Sequence, residues 1–137
     1  MNAFKKLSLL LLLSVIFSCI LTSCKKDAHI PPNISFKTGG VYTSADATVG
    51  KAVSITVGIT AEKVEDDMRQ YNVSYSYDNA TSTTTVQDFS ISGSEQQHYD
   101  KDVTFTTRDQ AGTEKYFFTI TDKDGNIAQK ILTLTVQ

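Results

Sequence analysis

The 137-residue chain has no tryptophan, two prolines, two cysteines, two histidines and seven glycines. Each scarcity removes a class of protein. The histidines are His29, in a proline-containing stretch, and His98, in the polar run that begins at Ser94. Neither accompanies a Gly-x-Ser-x-Gly elbow, so a serine nucleophile has no base beside it, and His98 reads as a solvated loop residue. Zinc needs His or Cys ligands at close spacing, and the sequence has none so placed. A non-enzymatic protein is therefore expected. Without tryptophan a stacking platform for sugars is poorly supplied. No run of basic residues occurs, which argues against nucleic acid as a partner. Long apolar runs are scarce too. The single one, Leu7–Leu21, has 15 residues including Ser8, Ser14 and Ser18, short of the roughly 20 that cross a bilayer as a helix. Lys5 and Lys6 precede it, and Thr22 and Ser23 follow it, ahead of Cys24. A charged start, an apolar stretch and small residues at its close describe a secretory signal.

The tetrapeptide Leu21-Thr22-Ser23-Cys24 resembles the lipobox of bacterial lipoproteins. The resemblance implies that residues 1–23 are a signal peptide that is removed. Cys24 then becomes the mature N-terminus, carrying a diacylglycerol and an N-acyl chain such as palmitate. Two or three such chains hold a protein stably at a membrane. Lys25, where an aspartate would imply inner-membrane retention, is compatible with the outer membrane. Lys25-Lys26-Asp27 is similar to the acidic export tag of surface lipoproteins in Bacteroidota, and the periplasmic and surface faces both stay open. Loss of Lys5 and Lys6 from 13 basic residues, against 15 acidic ones all retained, leaves a formal charge of −4. Cys19 leaves with the signal and the lipid consumes Cys24, so the folded part has no disulfide and stands on one apolar core. Residues 24–33 read as the acylated cysteine and an extended tether through Pro31-Pro32. The domain occupies residues 34–137.

From Ile34 onward the pattern has period two. Val53, Ile55, Val57 and Ile59 alternate with Ser54, Thr56, Gly58 and Thr60, as in a strand with one wet face. Tyr71, Val73, Tyr75 and Tyr77 form a second such run, read as a core face with hydroxyls at its rim. Tyr99, Val103 and Phe105 form a third, Tyr116, Phe118 and Ile120 a fourth, and Leu132, Leu134 and Val136 the last. Ile34–Thr43 and Thr83–Ile91 are shorter β-rich pieces. In the latter Val86 and Phe89 differ in parity, which predicts a break or a bulge. Gly39-Gly40, Asp78-Asn79, Ser92-Gly93-Ser94 and Asp124-Gly125-Asn126 punctuate the runs as turns. Glu62–Arg69 has helix-forming composition but is too short for more than one turn.

About seven strands in about 100 residues suit an all-β, two-sheet antiparallel sandwich. The segment Asp109–Asn126, with Tyr116 at its centre, resembles the corner, sixth strand and closing hairpin of immunoglobulin-like and PKD-like domains. The resemblance implies that Tyr116 donates its hydroxyl to nearby backbone while its ring enters the core. The cysteine pair and tryptophan of antibody domains are missing, as in disulfide-free bacterial relatives.

Candidate sites are few. Glu62, Glu65, Asp66 and Asp67 cluster in one loop, and Asp122, Asp124 and Asn126 line another. The second set has the alternate spacing of oxygen ligands for Ca2+, yet Asp-Gly-Asn between two strands is first a hairpin turn. An immunoglobulin-like topology implies that Ala61–Gln70, Gly93–His98 and Asp122–Asn126 meet at one acidic end, beside the tether. Thr43–Lys51, Asp78–Thr83 and Thr107–Lys115 then form the far end, where Arg108 is a candidate contact. Phe117 has the opposite parity to Tyr116 and Phe118 and is the candidate exposed aromatic. Glu62, Glu65, Asp66, Asp67, Asp122 and Asp124 are the candidate cation-binding residues, with Ca2+ the candidate ion, and no other cofactor is expected beyond the lipid. The functional expectation is a lipid-anchored outer-membrane module that binds, spaces or assembles envelope proteins. The alternative is a small glycan- or ligand-binding accessory lipoprotein of an uptake or degradation system.

Overall fold

The period-two runs become strands in two facing sheets. The computed structural model describes residues 29–137, and the signal, Cys24 and tether residues 25–28 lie outside the described residues. Eight strands follow in order: β1 (Asn33–Phe36), β2 (Ala47–Val49), β3 (Ser54–Glu62), β4 (Met68–Tyr77), β5 (Thr84–Ser90), β6 (His98–Thr106), β7 (Gly112–Asp122) and β8 (Ile127–Val136). A 3-10 turn, Gly93–Gln96, links β5 to β6. One sheet has the order β1-β3-β6 and the other β2-β8-β7-β4-β5. This is the two-sheet sandwich that the patterning implies, with the immunoglobulin-like form that the resemblance implies.

The count rises from seven to eight just beyond the Ile34–Thr43 piece, because the stretch Thr43–Lys51, expected to be a loop, holds β2. β1 runs antiparallel to β3, and Gly39 and Gly40 then turn the chain at φ +82° and +58°, a region open to glycine at no steric cost. The chain crosses to the second sheet, where β2 lies parallel to β8. That parallel pair departs from the expected all-antiparallel sandwich.

The core lies between β3 and β6 on one side and β4, β7 and β8 on the other. Val57, Ile59, Tyr71, Val73, Phe118, Ile120, Leu132 and Leu134 are fully buried. Each large side chain so buried stabilises the fold by about 1.5–3 kcal/mol. Val53 stands outside β3 and is 41% exposed, so the strand begins one residue later than its alternation suggests. The expected bulge in β5 is present: Val73 faces Gln87 and Ser74 faces Thr85, leaving Val86 as the extra residue. A second bulge lies in β4, where Met68 faces Asp122 and Gln70 faces Thr121. Met68 and Arg69 belong to this strand, so the helical composition of Glu62–Arg69 yields no helix.

Candidate functional site

The loops after β3, after β5 and after β7 meet at one end of the sandwich, as the topology implies. The Lys63 N–H donates to the Gln97 carbonyl (2.9 Å) and the Lys123 N–H to the Asp67 carbonyl (2.9 Å). Of the acidic side chains gathered there, Glu62, Asp66, Asp67 and Asp122 are spent on the protein's own donors, while the Asp124 carboxylate has no hydrogen-bond or ion-pair partner among the described residues. Asp66 pairs with Lys123 at 2.8 Å. Asp67 accepts from Lys63 at 2.6 Å and from the Gln97 amide at 2.7 Å, and these two donors hold its carboxyl below the usual carboxylate range. Glu62 meets His98 Nδ1 at 2.5 Å. Asp122, buried, accepts from the backbone N–H of Asp124 and Asn126 and from the Asn126 amide, at 2.8–3.0 Å. This is hairpin chemistry, with Gly125 at φ +87° completing the turn. Among the described residues no group of three His, Cys, Asp or Glu side chains is placed to hold a metal ion.

The tether reaches the same end. The Ile30 N–H lies 3.3 Å from Glu65 Oε2, and Pro32 is buried ahead of β1. His29, the first described residue, is five positions from Cys24, at most about 18 Å of extended chain.

At the far end Arg108 is not a free contact. Its guanidinium grips Asp78 through two bonds of 2.8 and 2.6 Å, lies over the Tyr77 ring at 4.7 Å and is only 13% exposed. The Arg108 backbone N–H donates to Glu114 Oε1 at 2.8 Å. Glu114 is fully buried. Its other oxygen accepts the Tyr116 hydroxyl at 2.8 Å, so Tyr116 binds a side chain and not the backbone that the corner resemblance implies. Glu114 shares the inward parity of Tyr116, Phe118 and Ile120, but a run recognised by its apolar members ends at Tyr116 and leaves a charged residue uncounted. Arg108 rivets the far end and has little surface left to offer a partner. The Asp78 carboxyl is held down at about 2, first by Arg108 and then by the Thr113 N–H.

Phe117 points outward, as its parity requires. It faces Ile131 across β8 and Ser74 across β4; Phe117 itself is half-buried and Ile131 is 48% exposed. On the same face the β4 bulge turns both Arg69 and Gln70 to solvent. They border a shallow depression of about 380 Å³ with Ser90, Thr121 and Lys123. No sequence signal marked Arg69, since the extra residue of a bulge leaves no trace in composition.

No protein-family model and no curated protein matches the chain. Solved structures similar to it include a chitin binding domain from Burkholderia pseudomallei, at 6% identity and a TM-score of 0.49, over 69% of this chain and 58% of that one. Murine CRIg is similar at 16% identity and a TM-score of 0.41, over 77% of this chain and 98% of that one. A β-glucosidase from Listeria innocua is similar at 12% identity and a TM-score of 0.43, over 77% of this chain and 16% of that one. At these values the likeness carries no inference about a site or an activity.

Proposed function

We propose that this is a lipid-anchored module of the bacterial outer membrane, held by acylated Cys24, whose sandwich binds or assembles other envelope proteins without catalysis. The observation that carries the reading is where the chain joins the sandwich. Ile30 and Pro32 fasten the tether to the end that carries the acidic loops, so the two sheet faces and the far end are left for partners. An acyl chain contributes about 0.8 kcal/mol per buried methylene, which makes Cys24 a sufficient anchor once two or more chains are present.

Two measurements test this. Cys24→Ala should abolish palmitate incorporation and release the exported chain from the membrane fraction; full retention would make Leu7–Leu21 the anchor. Photo-crosslinking residues placed singly at Phe117 and Thr104 of the anchored protein should give adducts with envelope proteins. A chain with no adduct from either surface, and with glycan bound instead, fits the accessory-lipoprotein alternative and overturns the assembly reading.

A further inference from the structure

β6 is an unfinished edge. Among the described residues it pairs only with β3, in nine successive pairs from Glu62↔His98 to Ser54↔Thr106, with no bulge. In an antiparallel pair alternate residues turn their N–H and C=O groups away from the partner strand, so β6 shows a regular row of unpaired backbone groups. The other long edge, β5, is broken by the bulge at Val86, a device that spoils pairing.

The side chains beside the β6 edge are those a missing strand would cover. Tyr75, Phe89 and Phe105 pack on the core but stay half-buried. Phe105 stacks on Tyr116 at 3.9 Å, and Tyr75 lies 4.6 Å from Tyr77. The first sheet, with three strands against five, ends at β6 and leaves these rings at an open side of the sandwich. In their midst stands Lys101. Its parity is that of Tyr99, Val103 and Phe105, the inward set, and its ammonium lies over the Phe89 ring at 4.4 Å. Lys101 has no carboxylate partner among the described residues. Asp100 and Asp102, on the opposite face of β6, are both taken by Lys37.

We propose that β6 takes an extended segment of a partner protein as a fourth strand of its sheet, and that Lys101 selects a segment with a carboxylate at the facing position. The inference rests on the protein-binding reading above and names the chemistry of the partner: apolar residues on one parity, to cover Phe89, Tyr75 and Phe105, interrupted by one Asp or Glu. An inward lysine on an edge strand repels indiscriminate apolar strands, and a facing acid turns that repulsion into a cross-strand pair. A second copy of this chain is a poor occupant. Full antiparallel overlap of two β6 strands, His98 against Thr106, sets Asp102 against Asp102, and like charges directly opposed are destabilising.

The test uses the acylated full chain in detergent and three labelled peptides, Val-Thr-Val-Thr-Xaa-Thr-Val-Thr-Val, with Xaa as Glu, Gln or Lys. Anisotropy should rank affinity Glu above Gln above Lys, each step up to about fivefold. Amide exchange should slow along His98–Thr106 and not along Thr84–Ser90. Lys101→Gln should remove the ranking, and Lys101→Glu, checked for unchanged melting, should reverse it. A ranking indifferent to residue 101, protection at β5 instead, or peptide-free dimerisation through β6 overturns the proposal. Photo-adducts from Phe117 but none from Thr104 overturn it while leaving the assembly reading intact; adducts from neither remove both.

Discussion

Tyr71 and Tyr116 share the inner face of the five-stranded sheet, yet their hydroxyls meet opposite fates. The Tyr71 hydroxyl is buried without a hydrogen-bond partner, and the ring is held between Phe89 and Tyr99 at 5.9 and 5.6 Å. Burial drives its acidity well below that of a free phenol. The Tyr116 hydroxyl instead satisfies one oxygen of buried Glu114. An unpaired buried polar group costs about 1–3 kcal/mol, and a hydrogen bond to a charged group contributes about 1.5–3 kcal/mol. Tyr71→Phe should therefore leave stability unchanged or raise it by about 1 kcal/mol, whereas Tyr116→Phe should lower it by about 2 kcal/mol. Denaturant titration of the two variants measures both; equal losses would mean that Tyr71 has a partner in solution. Asp78 gives a pH dependence whose sign is fixed. Its folded pKa of about 2 lies below the unfolded carboxylate value, so its contribution is complete above about pH 4 and is lost as pH falls toward 2. The melting temperature of the wild type should fall more steeply across that interval than that of Asp78→Asn. Parallel profiles would show that the Arg108 grip does not form.

At the scale of the element, Gly58 shows why alternation alone reads a strand incompletely. It occupies an outward position in β3, between Val57 and Ile59, and yet is buried. Lys37, Asp102 and Tyr42 close over it. A Cβ there would lie 2.6 Å from Lys37 Cδ, 2.8 Å from Asp102 Oδ1 and 2.9 Å from Tyr42 Cε1. The network that these side chains form, with Tyr42 donating to Asp102 at 2.9 Å, fastens the segment after β1 to the outer face of β3. Gly58→Ala should cost about 1–3 kcal/mol by overpacking, and much less in a Lys37→Ala background, as thermal melting of the two pairs would show. An equal cost in both backgrounds would place the strain elsewhere. The inward positions of β3, β4, β7 and β8 were legible because one buried face imposes a strict period of two. The Val86 bulge was legible for the same reason, through the clash of parity with Phe89. β2 was not, since three residues carry no period and its place depends on a crossover between sheets. The inward parity of Lys101, between Tyr99 and Val103, was legible too; what a charge does at that position was not, and the open edge of β6 is what gives it a role.

In the proposed anchoring the orientation of the whole molecule follows from where residues 30–32 join the sandwich. The meeting of the loops after β3, β5 and β7 was legible from topology, because alternate strand ends in a sandwich lie together. What the acids do there was not, since a composition that counts Glu62, Glu65, Asp66 and Asp67 is blind to Lys63, Lys123, Gln97 and His98 placed among them. Of those partners Lys63 and Lys123 carry positive charge and offset Asp67 and Asp66. In the membrane-anchored arrangement proposed above, an anionic surface about 18 Å or less from His29 would face a partly neutralised tip, screened over a Debye length of about 8 Å. The eleven residues of β7, at about 3.3 Å each, separate this end from the far one by about 36 Å. The two ends are readily told apart by labelling, because a chain processed and acylated at Cys24 as proposed would carry no free thiol. A donor dye on Asp124→Cys should transfer efficiently to an acceptor among the lipid headgroups of a vesicle holding the anchored protein. The same dye on Thr81→Cys, at the turn beyond Asp78, should transfer far less. Added salt should change neither value much if the tip is already neutralised. Stronger transfer from residue 81 than from residue 124 would turn the molecule over and overturn the orientation on which the presentation of its free faces depends.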